Sequence, residues 1–342
     1  MANNGLSMEY FITGATGLIG THVVETVVDR GHDVVALTRS RPNAEHLPEE
    51  VTIVEGDIRS KTSMREPMTG VDGVFHIAAW LHFGPGPWEA EKAERINVGG
   101  TRNVLELMND LEIPKGVYTS TVGVYPGTSG ETLDESIDPD CPTYAEYVRT
   151  KWQAHFEVAR PMMEDGLPLV IVQPGIVYGP HGGESTDMIR DYLKGDLPMI
   201  PRDWAMPFDH AEDIAQAHLR AMERGTLGEE YIVASQARTL PEVFGHAEEI
   251  TGVPAPRPVP DVVFGTLATA MRNVERVTIP PEGFESEGLD FLSGRQWDVD
   301  NTKSKRELGI EFRSLEEGFR DYLPWELEQL GMDMRTEQST PS

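Results

Sequence analysis

The stretch Tyr10-Phe11-Ile12-Thr13-Gly14-Ala15-Thr16-Gly17-Leu18-Ile19-Gly20 lies near the start of the chain and decides its fold. An apolar run ends there in three glycines spaced three residues apart, and an amphipathic run with valines at helical spacing follows at once. The pattern predicts a strand, a tight turn and a helix. The open N–H groups at such a helix start can bind a pyrophosphate, which the glycines allow to come close. The alternative is a purely structural turn.

The charge of the chain excludes one class of partner. Among 342 residues, 29 are lysine or arginine and 57 are acidic, which gives a formal net charge of -28. Nucleic-acid binding needs a basic surface, so it is not expected. The acidic residues are spread along the whole chain, as is typical of proteins from halophiles, whose salty cytoplasm screens the repulsion between like charges. An acidic protein from an ordinary cytoplasm is the alternative.

Several absences in the sequence indicate a cytoplasmic protein. The single cysteine, Cys141, cannot form an internal disulfide and gives no support to an oxidising compartment. The N-terminal residues show no signal-peptide pattern, and no apolar run approaches the ~20 residues that a membrane span needs. His82, His181 and His210 do not have the spacing of metal ligands, so no metal site is expected.

Strand-like and helical runs alternate over the first half of the chain. The predicted strands are Met8–Thr13, Asp33–Thr38, Val51–Glu55, Gly73–Ala78, Gly116–Ser120 and Leu169–Gln173. The predicted helices are Leu18–Arg30, Ala90–Leu111 and Tyr144–Asp165. Such alternation predicts an α/β fold with a doubly wound parallel sheet, the Rossmann arrangement, which binds ligands beyond the carboxyl ends of its strands.

The character of the sequence changes near residue 174, where proline and glycine become frequent. We expect residues 8–174 to form the dinucleotide-binding domain and residues 175–330 a smaller, mostly helical substrate lobe, parts of which return to the main sheet. Its predicted helices are Asp213–Arg224, Leu240–Thr251, Val259–Met271 and Leu315–Tyr322. Residues 331–342 are polar and are predicted to form a disordered tail.

The residues after the second and third strands bear on the cofactor. A dinucleotide-binding unit often has a carboxylate after its second strand, where it binds the ribose hydroxyls. This chain has Arg39 and Arg41 there, and a planar cation suits the 2′-phosphate of NADP. We therefore favour NADP over NAD; in the alternative, both arginines are solvated loop residues. Asp57 is placed to meet the adenine, although a simple turn aspartate would look the same.

Tyr147 and Lys151 form a candidate catalytic pair. Residues four apart on a helix share a face, so the phenol and the ammonium point into one site. A free tyrosine has a pKa near ~10, which is high for proton exchange at neutral pH, and a nearby cation lowers it. The spacing therefore predicts that Lys151 lowers the pKa of Tyr147. Taken alone, it is also common on exposed helices.

Together with the glycine loop, this pair makes the chain resemble the extended branch of the short-chain dehydrogenase/reductase superfamily, from about residue 8 to residue 322. Six segments match the branch in order: Thr13–Gly20, Phe75–Ala79, Asn97–Leu105, Tyr118–Tyr125, Pro174–Pro180 and Asp209–Ala215. The arginines after the second strand and the segment Gly252–Pro256 look closest to its dihydroflavonol-reductase-like subgroup.

The resemblance implies roles for particular residues. Tyr147 is the general acid/base, Lys151 holds the nicotinamide ribose, and Thr121 hydrogen-bonds the substrate oxygen, with Ser120 as the competing candidate. The cofactor-binding residues that it implies are Gly14, Thr16, Gly17, Leu18, Ile19, Gly20, Arg39, Asp57, Ile58, Ala78, Ala79, Asn97, Tyr147, Lys151, Pro174, Ile176 and Val177.

The branch contains reductases, sugar epimerases and sugar dehydratases, so it does not fix the reaction. The dehydratases have an Asp-Glu pair after the catalytic threonine, where this chain has Val122-Gly123. We expect an NAD(P)-dependent oxidoreductase that transfers a hydride between the nicotinamide and a small carbonyl or secondary alcohol substrate. The alternative is a nucleotide-sugar epimerase with tightly bound NAD. Its candidate diphosphate ligands are Arg190, Arg202, Arg257 and Arg295.

Two further expectations concern surfaces. The aromatic loop Trp80–Trp88 either walls the substrate pocket or only packs onto the body of the protein. Many proteins of the branch pair through helices that correspond to Ala90–Leu111 and Tyr144–Asp165, so the resemblance implies a homodimer.

Overall fold

The computed structural model describes residues 7–83, 87–128, 130–182, 184–280 and 283–334, and these contain twelve strands. In chain order they are β1 (Glu9–Thr13), β2 (Asp33–Thr38), β3 (Thr52–Glu55), β4 (Gly73–His76), β5 (Gly116–Thr119), β6 (Leu169–Gln173), β7 (Ile176–Tyr178), β8 (Met199–Pro201), β9 (Ala205–His210), β10 (Glu230–Ile232), β11 (Ala237–Thr239) and β12 (Arg257–Val259).

The described helices cover the sheets and connect the strands. They are α1 (Leu18–Asp29), α2 (Lys61–Arg65), α3 (Pro87–Ala93), α4 (Thr101–Asp110), α5 (Glu146–Trp152), α6 (Arg160–Glu164), α7 (Glu184–Lys194), α8 (Ala211–Arg224), α9 (Leu240–Thr251), α10 (Val262–Val274), α11 (Ser286–Phe291), α12 (Thr302–Leu308) and α13 (Leu315–Gln329).

Seven parallel strands form the main sheet, in the order β3-β2-β1-β4-β5-β6-β10. Chain order reverses between β1 and β4, and the crevice at such a point is where open α/β sheets bind their ligands. The predicted fold class is confirmed. The six strands predicted in the first half are all present, each with ends within two residues of the predicted ones.

Alternating side chains of each strand bury both faces of the sheet. Tyr10 and Ile12 belong to the apolar core under α1 and α8, whereas Phe11 belongs to the opposite core with residues of α4. All three are buried, since helices cover both faces. This explains why the strands are continuous apolar runs rather than alternating apolar and polar residues.

Two helices predicted as continuous contain π-helical segments. The segment Glu94–Gly100 joins α3 to α4, and Gln153–Ala159 joins α5 to α6. Each inserts a wider turn, which hydropathy periodicity does not reveal because the apolar face continues on both sides. The two segments bring Asn97 and His155 into buried positions below the edge of the sheet where ligands are expected.

The second half of the chain forms smaller sheets around a separate aromatic core. Strands β7, β9 and β11 form one sheet, and β8 pairs with β12. The core contains Trp204, Phe244, Trp297 and Tyr322, all fully buried. Strand β10 returns to the edge of the main sheet beside β6. The division into a dinucleotide domain and a substrate lobe stays a prediction.

Sequence patterns were less informative in this half. The predicted helix Val259–Met271 lies at Val262–Val274, and the last helix extends beyond Tyr322 to Gln329. Short elements such as β8, β12 and α11 contain too few residues to show a period. Most of the predicted tail, residues 335–342, lies outside the described residues. In the described part of the chain, no helix has the length and hydropathy of a membrane-spanning segment.

Backbone contacts at the glycine loop hold β1, α1 and the turn after β4 together. Gly14 has a positive φ of 73°, and a Cβ at this position would lie 2.6 Å from the amide nitrogen of Ala78. A Cβ at Gly20 would lie 2.0 Å from the carbonyl oxygen of Gly14. Both contacts are with backbone atoms, so no side-chain rearrangement would relieve them. The glycines are therefore required by close packing of the main chain.

We predict that Gly14→Ala destabilises the protein much more than Gly31→Ala. Both residues have a positive φ, 73° and 80°, so both substitutions incur the ~1–2 kcal/mol strain of the left-handed region. A Cβ at Gly31 meets nothing within 4 Å, whereas at Gly14 it meets backbone, which adds ~1–3 kcal/mol. The measurement is the free energy of unfolding from denaturant titration. Equal losses would contradict the close contact.

Candidate active site

A cavity of about 920 Å³ lies beyond the carboxyl ends of the main strands. Its walls come from the segments that follow β1 to β6 and from parts of the second half of the chain. From the main sheet, the lining includes the ranges 16–20, 37–39, 56–58, 77–81, 119–121 and 174–177. The cavity thus lies at the edge of the sheet that the strand alternation predicts, and its size suits a dinucleotide with a small substrate.

The structure brings together nearly all the residues that the resemblance implies. Every predicted catalytic residue and every predicted cofactor-binding residue except Asn97 lines this one cavity. They come from segments that lie up to 163 positions apart in the sequence, from Gly14 to Val177, so their convergence is a property of the fold. Their roles in binding and catalysis stay predictions.

The part of the cavity lined by the segments after β1, β2 and β3, which we call the cofactor half, has features that fit a dinucleotide. A Cβ at Gly17 would have only the Gly14 carbonyl oxygen, at 3.5 Å, as a near neighbour, so the main chain is open towards the cavity at the start of α1. The N-cap position of α1 is Gly17, and no side chain caps the helix there. These amide groups can therefore bind a phosphate.

Arg39 and Arg41 differ in position. Arg39 lines the cavity at the end of β2, whereas Arg41 does not line it, although its backbone N–H donates to Glu55 Oε1 at 3.1 Å. Asp57 also lines the cavity, and its carboxylate accepts hydrogen bonds from Arg59 Nε and Nη2 at 3.0 and 2.6 Å. The hydrogen bonds with Arg59 lower the pKa of Asp57. The structure therefore leaves Arg39 as the cavity-lining cation beside the predicted adenosine region.

Tyr147 and Lys151 lie one turn apart on α5, which begins at Glu146. Lys151 is buried, and its ammonium donates hydrogen bonds to the Thr119 carbonyl oxygen at 2.7 Å and the Tyr118 hydroxyl at 3.1 Å. Burial lowers the pKa of Lys151 to about 7 and raises the pKa of Tyr147 to about 12. The expected lowering of the Tyr147 pKa is therefore wrong for this structure, because burial disfavours the ionised phenolate.

The two candidate hydroxyls point to different partners. Thr121 Oγ1 accepts a hydrogen bond from the Gly123 N–H at 3.1 Å, so its own hydrogen remains available. Ser120 Oγ lies 2.8 Å from His155 Nδ1, on the opposite side of the strand end. Both residues line the cavity. The structure thus separates two residues that the sequence left as alternatives for one role.

Asn97 is buried and holds the loop after β4. Its Oδ1 accepts from the Trp80 N–H at 2.6 Å, and its Nδ2 donates to the Trp80 carbonyl oxygen at 3.0 Å and to Thr150 Oγ1 at 2.9 Å. It does not line the cavity, in contrast to the other predicted cofactor-binding residues. Its observed contacts tie the wall of the cavity to the helix that carries Tyr147.

His76 is a second buried residue that supports the site. Its ring lies between the hydroxyls of Thr13 and Thr101, at 2.7 Å from Nδ1 and 2.9 Å from Nε2. Thr13 Oγ1 in turn accepts from the N–H groups of Ile77 and Ala78. Burial, together with the charge of Lys151, lowers the pKa of His76 to about 3, so the ring is neutral at neutral pH.

The part of the cavity lined by the loop after β4 and by the second half of the chain, which we call the substrate half, is apolar and aromatic. From the loop after β4 it receives Trp80, Leu81 and Phe83, so this loop does wall the cavity; residues 84–86 of the predicted loop lie outside the described residues. The second half of the chain adds Met188, Trp204, Met206, Phe291 and Leu292. None of these five residues was predicted from the sequence, because their spacing along the chain shows no common pattern.

The four arginines considered as diphosphate ligands do not line this cavity. Arg190 pairs with the buried Glu326 at 2.6 Å, and Arg295 lies over the ring of Tyr144 and pairs with Asp290. Arg202 and Arg257 are exposed. Among the described residues of the lining, the charged ones are Arg39, Asp57 and Lys151, all from the first half of the chain.

Asp209 fixes the loop that forms the floor of the cavity. It is fully buried, and its carboxylate accepts from the Gly175 N–H at 3.0 Å and the Ser235 N–H at 2.7 Å. Burial raises the pKa of Asp209 to about 6. In the sequence, Asp209 was noted only as the first residue of the matching segment Asp209–Ala215. Within the described ranges, no group of three or more histidine, cysteine or acidic side chains could hold a metal ion.

Comparisons with known proteins agree with this arrangement. The profile of the NAD dependent epimerase/dehydratase family matches residues 10–234. A putative dihydroflavonol 4-reductase of Synechocystis sp. is 30% identical over 332 residues, which cover 92% of this chain and 94% of that protein. Sterol demethylase protein B of Methylococcus capsulatus is 29% identical over 331 residues, covering 93% of this chain and 98% of that protein.

A solved structure shares the fold. The UDP-glucose 4-epimerase of Thermotoga maritima, determined with UDP-glucose, superposes with a TM-score of 0.75 at 22% identity, over 94% of this chain and 100% of that chain.

We predict that Asn97→Ala lowers the free energy of unfolding by about 2–3 kcal/mol, because it leaves both backbone groups of Trp80 unpaired. The control is Asn109→Ala, on the exposed end of α4, for which we expect a change below ~0.5 kcal/mol. Denaturant titration measures both. A loss for Asn97→Ala no greater than the control would show that the loop is held by other contacts.

Proposed function

The chain belongs to the NAD-dependent epimerase/dehydratase family, within the extended short-chain dehydrogenase/reductases, and from this premise we propose that it is an NADP-dependent oxidoreductase. In this proposal it transfers a hydride between the nicotinamide and a carbonyl or secondary alcohol on a largely apolar small molecule. The observation that carries the proposal is the substrate half of the cavity, which places an apolar and aromatic wall beside Tyr147.

Tyr147 is the proposed proton donor. A phenol whose pKa is raised to about 12 is protonated at every physiological pH, which is the form that donates to a carbonyl oxygen during reduction. Thr121 has a hydroxyl hydrogen left to donate to the same oxygen and so stabilises its developing negative charge. When bound, the nicotinamide supplies the hydride. Phe83, at 6.0 Å between ring centroids, packs edge-on against Tyr147 and restricts water there.

Lys151 is the proposed electrostatic partner. Its ammonium is directed by Thr119 and Tyr118, and burial keeps its pKa close to neutral. Binding of an anionic dinucleotide in the same cavity favours the charged form, because opposite charges within a low-dielectric site attract strongly. The lysine thus supplies positive charge to the active site mainly when the cofactor half is filled.

Apolar substrates are favoured over nucleotide sugars. A nucleotide sugar carries a diphosphate, and burying it without cations would be costly. The charged residues of the described lining, Arg39, Asp57 and Lys151, come from the first half of the chain, and the four arginines considered for a diphosphate lie elsewhere. Two relatives that match over most of this chain are named for a dihydroflavonol and for a sterol, which are ring compounds rather than nucleotide sugars.

The cofactor preference follows from position. Arg39 faces the cavity at the end of β2, where a 2′-phosphate would lie, and a guanidinium binds phosphate through several parallel hydrogen bonds. Thr38 cannot replace a carboxylate at this point, since its hydroxyl donates to the Ser40 carbonyl oxygen at 2.9 Å. These two residues support NADP rather than NAD.

We predict that Tyr147→Phe lowers kcat for NADPH-dependent carbonyl reduction by about 10²–10⁴-fold while leaving cofactor affinity within about threefold, because only the proton donor is lost. Tyr144→Phe is the matched control: its hydroxyl donates to the Gly123 carbonyl oxygen and it does not line the cavity, so activity should persist. The assay follows NADPH absorbance with a panel of aryl and alicyclic ketones. Full activity of Tyr147→Phe would contradict the assignment.

We predict that Arg39→Ala weakens NADPH binding by about tenfold to a hundredfold and changes NADH binding less than threefold, because it removes charge-assisted hydrogen bonds to the 2′-phosphate alone. Arg41→Ala removes an equal charge from the same segment and should leave both affinities within about twofold. Thermal-shift titrations at one fixed salt concentration measure the six affinities, those of the unsubstituted protein and of both variants for each cofactor. Tighter binding of NADH than NADPH by the unsubstituted protein would establish NAD as the cofactor instead.

A further inference from the structure

A buried row of polar side chains runs from the cavity wall to the far edge of the main sheet. Ser120 Oγ lies 2.8 Å from His155 Nδ1, and His155 Nε2 lies 3.0 Å from Glu230 Oε2. Glu230 Oε1 accepts from Arg160 Nε at 2.8 Å. Ser120, His155 and Glu230 are all buried, with exposed fractions of 3%, 0% and 7%. The row links the end of β5, the π-helical segment Gln153–Ala159 and strand β10.

Stability alone is a poor explanation for this row. Apolar side chains of similar size often stabilise a core as well as a buried ionic group does, because desolvation opposes the attraction between charges. The surrounding core is apolar: Ala154, Val158 and Ile171 pack there. A buried polar network of this kind has instead the property that it fixes the direction of each hydrogen bond.

The direction of each hydrogen follows from the charges. Burial disfavours the ionised form of Glu230, but hydrogen bonds from His155 and Arg160 outweigh it and bring its pKa to about 2, so the carboxylate is ionised and only accepts. His155 Nε2 must therefore carry a hydrogen. Burial lowers the pKa of His155; the hydrogen bond and charge of Glu230 act in the opposite direction but do not reverse the shift, and the positive charges of Arg160 and Lys151 add to the lowering. The ring is then neutral, and its Nδ1 only accepts.

Ser120 therefore donates its hydroxyl hydrogen to His155. Its oxygen keeps only lone pairs for other contacts, so Ser120 cannot donate to a substrate carbonyl. Thr121 differs from Ser120, since its oxygen accepts from the Gly123 N–H and its own hydroxyl hydrogen remains available to donate. Two adjacent hydroxyls at the cavity wall thus have opposite hydrogen-bonding roles, and His155 decides which one donates.

We propose that His155 and Glu230 are positioning residues of the active site: they fix the hydrogen of Ser120 so that Thr121 alone donates to the substrate oxygen. This inference rests on the proposed oxidoreductase function. If His155 no longer accepts, the Ser120 hydroxyl rotates and competes, either as a second donor towards the substrate or as a donor to Thr121. Either outcome disturbs the alignment on which the transition state depends.

The first test measures the hydrogen positions directly and needs no substrate. The full-length protein is labelled with ¹⁵N-histidine, and the signals that His155→Gln removes assign the His155 ring. At pH 7 we expect a protonated Nε2 and an unprotonated Nδ1. An Nδ1–H tautomer or an imidazolium at this pH would overturn the inference, whatever reaction the protein catalyses.

The second test asks whether His155 acts through Ser120. We expect His155→Phe, which keeps an aromatic ring against Phe156, to lower kcat for carbonyl reduction about tenfold, with KM within about threefold. In a Ser120→Ala background the same substitution should cost less than about twofold. An equal loss in both backgrounds would mean that His155 only supports the fold, and the proposal would be wrong.

Two further variants separate hydrogen bonding from packing. His155→Gln keeps one acceptor and one donor for Ser120 and Glu230, so it should retain more than about a third of the wild-type kcat. Asp138→Asn alters only the exposed end of the row, where Asp138 meets Arg160 Nη1 at 3.2 Å, and should leave kcat unchanged. If His155→Gln is as inactive as His155→Phe although both unfold at the same denaturant concentration, donor and acceptor positions do not matter and the proposal fails.

Discussion

The close approach of main chain at Gly14, Gly20 and Ala78 is the constraint on which the rest of the structure depends. Where a side chain would clash with backbone at 2.0 to 2.6 Å, only hydrogen fits, so β1, α1 and the turn after β4 pack directly on one another. This contact sets the depth of the cavity at the switch point of the sheet. The walls that follow the other strands of the main sheet, from Arg39 to the segment Pro174–Val177, are placed relative to it by parallel strand pairing.

The cavity has two halves that differ in electrostatics, although the whole protein is strongly acidic. The charged groups of the lining, Arg39, Asp57 and Lys151, come from the first half of the chain, while the second half contributes apolar and aromatic groups. With a formal net charge of -28, the bulk of the protein disfavours anions. A few cations and the open amides at the start of α1 must therefore supply the local attraction for a phosphate.

Features that depend on a local sequence signal were predicted correctly, whereas features that depend on long-range packing were not. The six strands, the turn at Gly14 and the spacing of Tyr147 and Lys151 can each be read within a dozen residues, and the structure contains them. The position of Asn97 depends on a π-helical segment, and the pKa of Tyr147 depends on burial; neither can be read from the local sequence, and the predicted direction of the Tyr147 shift was wrong. Trp204 and Phe291 reach the cavity through long-range folding that leaves no repeat or motif.

Burial lowers the pKa of the basic side chains around the active site. Lys151, His76 and His155 are three basic side chains buried in one region; burial lowers the pKa of both histidines, and the charge of Lys151 contributes in the same direction. Because each ring is neutral, it has one donor and one acceptor nitrogen, and hence a fixed orientation towards its neighbours. His76 joins Thr13 to Thr101, and His155 joins Ser120 to Glu230. Burial is thus the main reason why the surrounding hydroxyls have defined hydrogen directions, and Lys151, one helical turn from Tyr147, adds to the effect.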